Sequence, residues 1–182
     1  CIGLRGLMRG LPVRAAAFSA PMWGIAMAAW LRPVASVVSA LAGPLGLMAR
    51  YAPSTSAETY LLQAPFAGNV LTTDREMWAY MRRQLEEVPD LALGGPTIAW
   101  LGLALRECAE LMAAPAPKVP TICALGTMEK VVDVPPVHLR MAGWANGQLD
   151  LYPGAEHEIM MEGPAVRERF FDRAAALFEA NR

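Results

Sequence analysis

The chain has 182 residues, 54% hydrophobic and 18% charged, with a formal net charge of −1. That length suffices for one domain with a real core, or for part of a larger one. The near-neutral balance gives no electrostatic footing for nucleic acid. Residues 15–31 and 33–49 are uncharged on either side of Arg32. Each run falls short of the roughly 20 residues a spanning helix needs, and Pro21, Pro33 and Pro44 interrupt them. A buried strand and apolar surface helices account for both runs.

The chain opens at Cys1 rather than Met. Ile2, Leu4, Leu7 and Met8 have near-helical spacing, closed by Gly10 and Pro12, which reads as the last turns of a helix. The chain is therefore expected to be the C-terminal portion of a longer protein. Residues 13–18 form a short apolar run ended by Ser19-Ala20-Pro21, the pattern of a buried strand. From 24 to 95 the character changes. Apolar helical pieces are expected at 24–31 and 34–41, a loosely patterned stretch at 51–73, and a more polar helix after Asp74, its predicted N-cap. Gly94-Gly95-Pro96 then breaks the chain, and 97–112 reads as a long apolar helix.

A proline-rich connector leads into a strand at 119–125. A short helix follows at 137–144, Asn146-Gly147 turns the chain, and 149–152 is the last strand. Gly163-Pro164 opens a final amphipathic helix, proline being suited to the first helical position. The C-terminal order is helix, strand, helix, strand, helix, so the class is α/β with parallel strands and flanking helices.

The chemistry concentrates where these two strands end. Beyond 119–125 come Gly126-Thr127, Glu129 and Asp133; beyond 149–152 come Pro153-Gly154 and His157. In open α/β sheets the reactive groups lie just past the carboxyl ends of the strands. An acid beyond one strand and a histidine beyond another is how a catalytic acid–imidazole pair is assembled. Glu129 and Asp133 compete for the acid role. Glu129 is nearer the strand end, while Asp133 could instead cap the helix that Pro135 begins. Against a catalytic His157 stands the commoner case of a solvated turn histidine. His138, flanked by Leu139 and Met141 in a helix, reads as structural or exposed. Glu158 and Glu162 read as helix N-terminal charges.

Ser19 follows a strand but lacks the flanking glycines of a strained nucleophile turn. Met22, Trp23 and Trp100 are candidates for lining an apolar substrate pocket, although packing alone also explains such residues. Cys1, Cys108 and Cys123 lack metal-ligand spacing, and with Cys108 reading as a helix residue and Cys123 as a strand interior, buried thiols are expected there. Three cysteines, no signal peptide and no Asn-x-Ser/Thr sequon point to a reducing, cytoplasmic setting. Nothing in the sequence asks for a metal or a cofactor.

Taken together, these residues resemble the lysophospholipase/monoacylglycerol lipase branch of the α/β-hydrolases, also called the serine-aminopeptidase-like hydrolases. The matching stretches are Phe18-Ser19-Ala20-Pro21-Met22, Asn69-Val70-Leu71-Thr72 and Leu93-Gly94-Gly95-Pro96-Thr97. Nearer the end they are 126–133, Gly-Thr-Met-Glu-Lys-Val-Val-Asp, and 151–157, Leu-Tyr-Pro-Gly-Ala-Glu-His. The resemblance implies the C-terminal part of an α/β-hydrolase fold carrying an inserted helical cap. Residues 1–23 and 96–182 would be core and 24–95 cap. It implies Glu129 as triad acid, Asp133 as a second acidic position outside the triad, and His157 as general base. The implied substrate is a small lipid ester, a lysophospholipid or monoacylglycerol, met through transient contact with a membrane surface.

The departure from the family pattern is equally clear: no Gly-x-Ser-x-Gly occurs in the chain. Family members place Gly-His-Ser-x-Gly-Gly immediately before a helix like the one at Cys1. The nucleophile and both oxyanion donors are therefore expected upstream of residue 1, and the chain alone is expected to be inactive and poorly stable. Its 13–18 strand would present an apolar edge prone to aggregation. The rival expectation is a non-catalytic module for apolar ligands or membrane surfaces, built on the helical middle third.

Overall fold

In the computed structural model, Thr121–Gly126 (β2) is buried at every position. A strand flanked on both sides and covered on both faces reads as continuous apolar sequence rather than alternation. Ala16–Ser19 (β1) and Gly147–Tyr152 (β3) pair with β2 from either side, both parallel, in the order β1-β2-β3. Register aligns Ala16 with Thr121 and Thr121 with Gly147, so the three strands end at one rim. The structure describes every residue except Ala29, and every side chain except those of Ala29, Arg32, Ser36, Ser39 and Ala40.

β1 begins three residues later than the apolar run suggested. Pairing starts with the Ala16 N–H donating to the Pro120 carbonyl, while Val13 and Arg14 are exposed before it. The ladder is set by where β2 offers partners, a tertiary fact. Among the described residues β1 is bonded on its β2 side only.

Helices cover both faces. Cys123 and Leu125 point into a cluster with Leu4 and Leu7 of α1 (Ile2–Met8), Leu111 of α5 (Ile98–Ala113), and Val137 and Met141 of α6 (Val134–Ala142). Ala124 points the opposite way, toward Tyr152, Ile159 and Phe170 of α7 (Pro164–Ala180). The strand's period of two thus assigns successive β2 residues to opposite layers. Leu111 is 0% exposed; truncating such a residue to Ala costs about 3 kcal/mol.

Arg140, buried on α6, donates to the Leu111 and Ala114 carbonyls at the end of α5. This is the favourable charge for a helix C-terminus, and it satisfies carbonyls the helix itself leaves open. At the other end the Thr97 hydroxyl accepts the Trp100 N–H at 3.2 Å, an ordinary N-cap.

Between β1 and α5 lie α2 (Leu31–Ala42), α3 (Tyr60–Gln63), α4 (Arg75–Glu87) and a 3-10 turn at Pro89–Leu91. α4 matches its sequence signals. Asp74 accepts the Glu76 and Met77 N–H groups, and Trp78 and Met81 are buried, with Tyr60 and Phe66 edge-on to Trp78. The helix expected over 24–31 does not form in its described part. Residues 24–28 are non-helical, because the Gly24 carbonyl accepts the Asp133 N–H and Ile25 bridges Val132. Those cross-chain bonds use the groups a helix would need for itself. Among the described residues no helix is long and apolar enough to cross a membrane.

Candidate active site

Gly126 closes β2 where only glycine fits. A Cβ there would lie 2.3 Å from the Ala155 carbonyl oxygen and 2.4 Å from that of Glu156. That close approach lets the β2 and β3 loops run against each other. The Thr127 N–H donates to Tyr152, the Met128 N–H to Ala155, and the Gly154 N–H to the Thr127 hydroxyl. Gly154 turns with φ of 75°, a left-handed conformation that glycine adopts without steric cost.

These two fastened loops carry the two ionisable groups. Glu129 Oε2 lies 2.7 Å from His157 Nδ1. Its Oε1 accepts the Val131 N–H at 2.6 Å and the Val132 N–H at 3.1 Å. The Glu129 side chain is 1% exposed and that of His157 16%. His157 is held through its backbone too, its N–H donating to the Val70 carbonyl at 3.4 Å and the Glu158 N–H to Leu71 at 2.7 Å.

Burial alone would push the Glu129 carboxyl up. The bond to His157 and the Val132 and Val131 N–H groups outweigh it and hold the carboxyl below its ordinary value. Burial alone would likewise lower His157, but the bond and charge of Glu129, with a smaller contribution from Glu158, raise it. An ionised carboxylate is acceptor-only, so Nδ1 carries the proton and donates. Nε2 is then the basic nitrogen, with Glu158 Oε1 4.0 Å away. A buried carboxylate fixes tautomer and ring orientation and stabilises the imidazolium, a geometry that can support proton transfer at Nε2.

The other sequence candidates fall elsewhere. Asp133 occupies the N-cap position of α6 without a side-chain cap bond, and borders a cleft of about 750 Å³ with Trp23 and Gly24. Met22, Trp100 and Ser19 line a different cleft of about 650 Å³ beside α1. Trp23 is 0% exposed, packed between Phe18 and Trp144 at centroid distances of 5.4 and 6.2 Å. A cleft of about 560 Å³ is walled in part by Val70 and Val131, whose backbones bond His157 and Glu129, with Tyr60, Leu61 and Leu71 and the polar Glu58, Thr59 and Gln63 also in its walls. No sequence spacing singles these residues out, since they meet only when the middle third folds over the β2 loop.

His138 is exposed on α6. The cysteines are less scattered than their spacing suggested: Cys1 and Cys108 have their sulfurs 3.5 Å apart. Cys123 is fully buried, and burial, with the Asp150 charge second, pushes its thiol up to about 12. Glu162 differs most from expectation. It is not a solvated helix charge but a carboxylate 1% exposed, bonded to Glu156 and Thr73.

With that geometry in place, comparison with known proteins gives a consistent result. Residues 4–164 match the family model described as serine aminopeptidase, S33. The chain belongs to this family. The S33 chain is 28% identical over 156 residues to a protein of Haemophilus influenzae named probable lysophospholipase L2, covering 85% of this chain and 48% of that protein. Its fold matches a soluble variant of monoglyceride lipase from Saccharomyces cerevisiae, crystallised with a substrate analogue. The TM-score is 0.69 at 16% identity, over 100% of this chain and 61% of that one. The monoacylglycerol lipase of Paleococcus ferrophilus gives 0.68 at 12% identity, over 97% of this chain and 63% of that one. The fold of the S33 chain is accordingly the α/β-hydrolase fold, and it spans about half the length of its curated relative.

Proposed function

We propose that this chain supplies the acid and the base of a Ser-His-acid triad in a hydrolase of lipid carboxylic esters, lysophospholipids or monoacylglycerols. The serine belongs to sequence outside the 182 residues, on the turn leading into α1. The observation that carries the reading is the 2.7 Å bond between Glu129 and His157 at the ends of adjacent parallel strands. The names of the relatives support the substrate class, and the cleft walled by Val70 and Val131 has apolar surface, from Tyr60, Leu61, Leu71 and Leu93, to receive an acyl chain. Residues 24–95 form a cap that supplies most of that cleft's walls, and exposed apolar residues of α2 make transient contact with the membrane surface that holds the substrate.

In the reaction, His157 Nε2 takes the serine proton as the serine oxygen attacks the ester carbonyl. The imidazolium, stabilised by Glu129, then protonates the departing alcohol, leaving an acyl-enzyme. Water attacks that ester with His157 again accepting the proton, which returns to the serine as the fatty acid leaves. Asp133 takes no part.

The test is hydrolysis of a monoacylglycerol and of a lysophosphatidylcholine by the full-length protein, its His157→Ala variant and the 182-residue chain. Turnover by the wild type alone is the expected result. A full-length protein inert on both substrates, or a His157→Ala variant that keeps wild-type rates, sinks the proposal. Either would shift the weight to a non-catalytic apolar-ligand module.

A further inference from the structure

His157 is oriented by Glu129, but the loop that bears it is fixed by a second carboxylate. Glu162 Oε1 accepts the Glu156 N–H at 2.7 Å, one residue before the imidazole. Its Oε2 accepts the Thr73 N–H at 3.0 Å and the Thr73 hydroxyl at 2.5 Å, with the Thr72 hydroxyl at 3.4 Å. The Thr72 hydroxyl gives its one proton to the Met161 carbonyl at 2.6 Å, so its 3.4 Å approach to Oε2 is a contact and not a second donation. Asn69 shapes the segment that meets it: its Oδ1 accepts the Leu71 and Thr72 N–H groups, and its Nδ2 donates to the Phe66 and Thr72 carbonyls. Residues 69–73 and 156–162 are thus interlocked, the bonds from His157 to Val70 and from Glu158 to Leu71 lying in the same seam.

Burying a carboxylate to join two loops is expensive unless every oxygen is satisfied, and apolar packing would join them at lower cost. What a carboxylate adds is direction: it converges several donors on one point from both segments. We infer that Glu162 is a positioning residue for His157, holding the Glu156 amide so that the imidazole stays within bonding distance of Glu129. It also ties that loop to the chain entering α4. The inference rests on the proposed role of His157 as base. Thr73, through its hydroxyl, is the partner that completes the clamp. An amide at 162 offers one acceptor oxygen where the donors need two, and turns an N–H₂ toward one of them.

The experiment uses full-length protein with Glu162→Gln, Thr73→Val and Thr73→Ser. It reads kcat, KM and the low-field Nδ1–H proton resonance that reports the bond to Glu129. Misplacing a catalytic group by about 1 Å costs on the order of 100-fold. Glu162→Gln is expected to lose about that much kcat, with KM changed less than about twofold, and its resonance should weaken or move upfield. Thr73→Val should shift both readouts in the same direction by less, and Thr73→Ser should restore them. A folded Glu162→Gln protein with wild-type kcat and resonance, altered only in melting temperature, overturns the inference. If that variant does not fold, identical readouts in the two Thr73 variants overturn it instead. The resonance is recorded without substrate, so a wild-type protein that hydrolyses no ester counts against the proposed reaction while this arm still decides the inference.

Discussion

The loops beyond β2 and β3 and the helix α2 lie at opposite ends of a range, one held by polar partners and the other built mostly of apolar side chains. In the loops, small and polar residues have defined partners: Gly126 against two carbonyls, Thr127 on Gly154, Glu129 on three donors. On α2, Val34, Val37, Val38 and Leu41 are each 44–58% exposed. Its neighbour across a cleft of about 380 Å³ is α5, with Ile98 and Leu101 on the far wall. The first region is held by directional hydrogen bonds, and the second packs through non-directional apolar contact. Convergent hydrogen bonds thus fix the two ionisable groups, whereas α2 presents apolar surface to solvent.

That contrast can be broken most severely at the acid. Glu129→Gln keeps the shape but replaces the charge that sets the tautomer, and ester hydrolysis by the full-length protein should fall about ten-thousand-fold. Circular dichroism should show the fold unchanged. Gly126→Ala comes next. Its Cβ meets backbone rather than a yielding side chain, so the loops must part, and chemical denaturation should register a loss of about 3 kcal/mol.

Acidity sharpens the comparison further. Because His157 is raised, its basic form becomes the majority at a higher pH than for an ordinary histidine, and the acid limb of kcat/KM should lie above 6.5. Removing the Glu129 charge should move the limb downward. The same shifts govern stability, with opposite signs. The contribution of Glu129 is present above about 4.5 and lost as pH falls through its depressed value. That of His157 is present below about 6.5 and lost as pH rises through its raised value. Denaturation midpoints across pH should flatten in a Glu129→Gln, His157→Gln double variant. The smallest effect belongs to α2: Val37→Gln, at a position 58% exposed, should alter stability by no more than about 0.5 kcal/mol while weakening binding of the full-length protein to phospholipid vesicles.

The sequence carried much of the fold because the signals there are local. Asp74 before an amphipathic run, Pro164 at a helix start and the all-apolar β2 need no knowledge of distant residues. Glu129 and His157 were legible for a related reason: each sits a few residues past a recognisable strand, and parallel neighbours bring their C-terminal ends together. The non-helical course of 24–28 was not legible, because Gly24 and Ile25 spend their backbone groups on 132–133, more than a hundred residues away. Nor was the cleft walled by Val70 and Val131, whose other walls come from 54–63, Leu71 and 93–96.

What the amino-acid order determined by itself was the set of elements and the two groups placed at their ends, since periodicity and turn chemistry act over a few residues. Tertiary structure decided which carboxylates are buried and what they hold. Glu158 and Glu162 look alike along the chain, yet only Glu162 meets Thr73 and the Glu156 amide in a site closed to water. Donors from segments about ninety residues apart must converge before a buried charge is tolerated, and only the folded chain supplies that convergence.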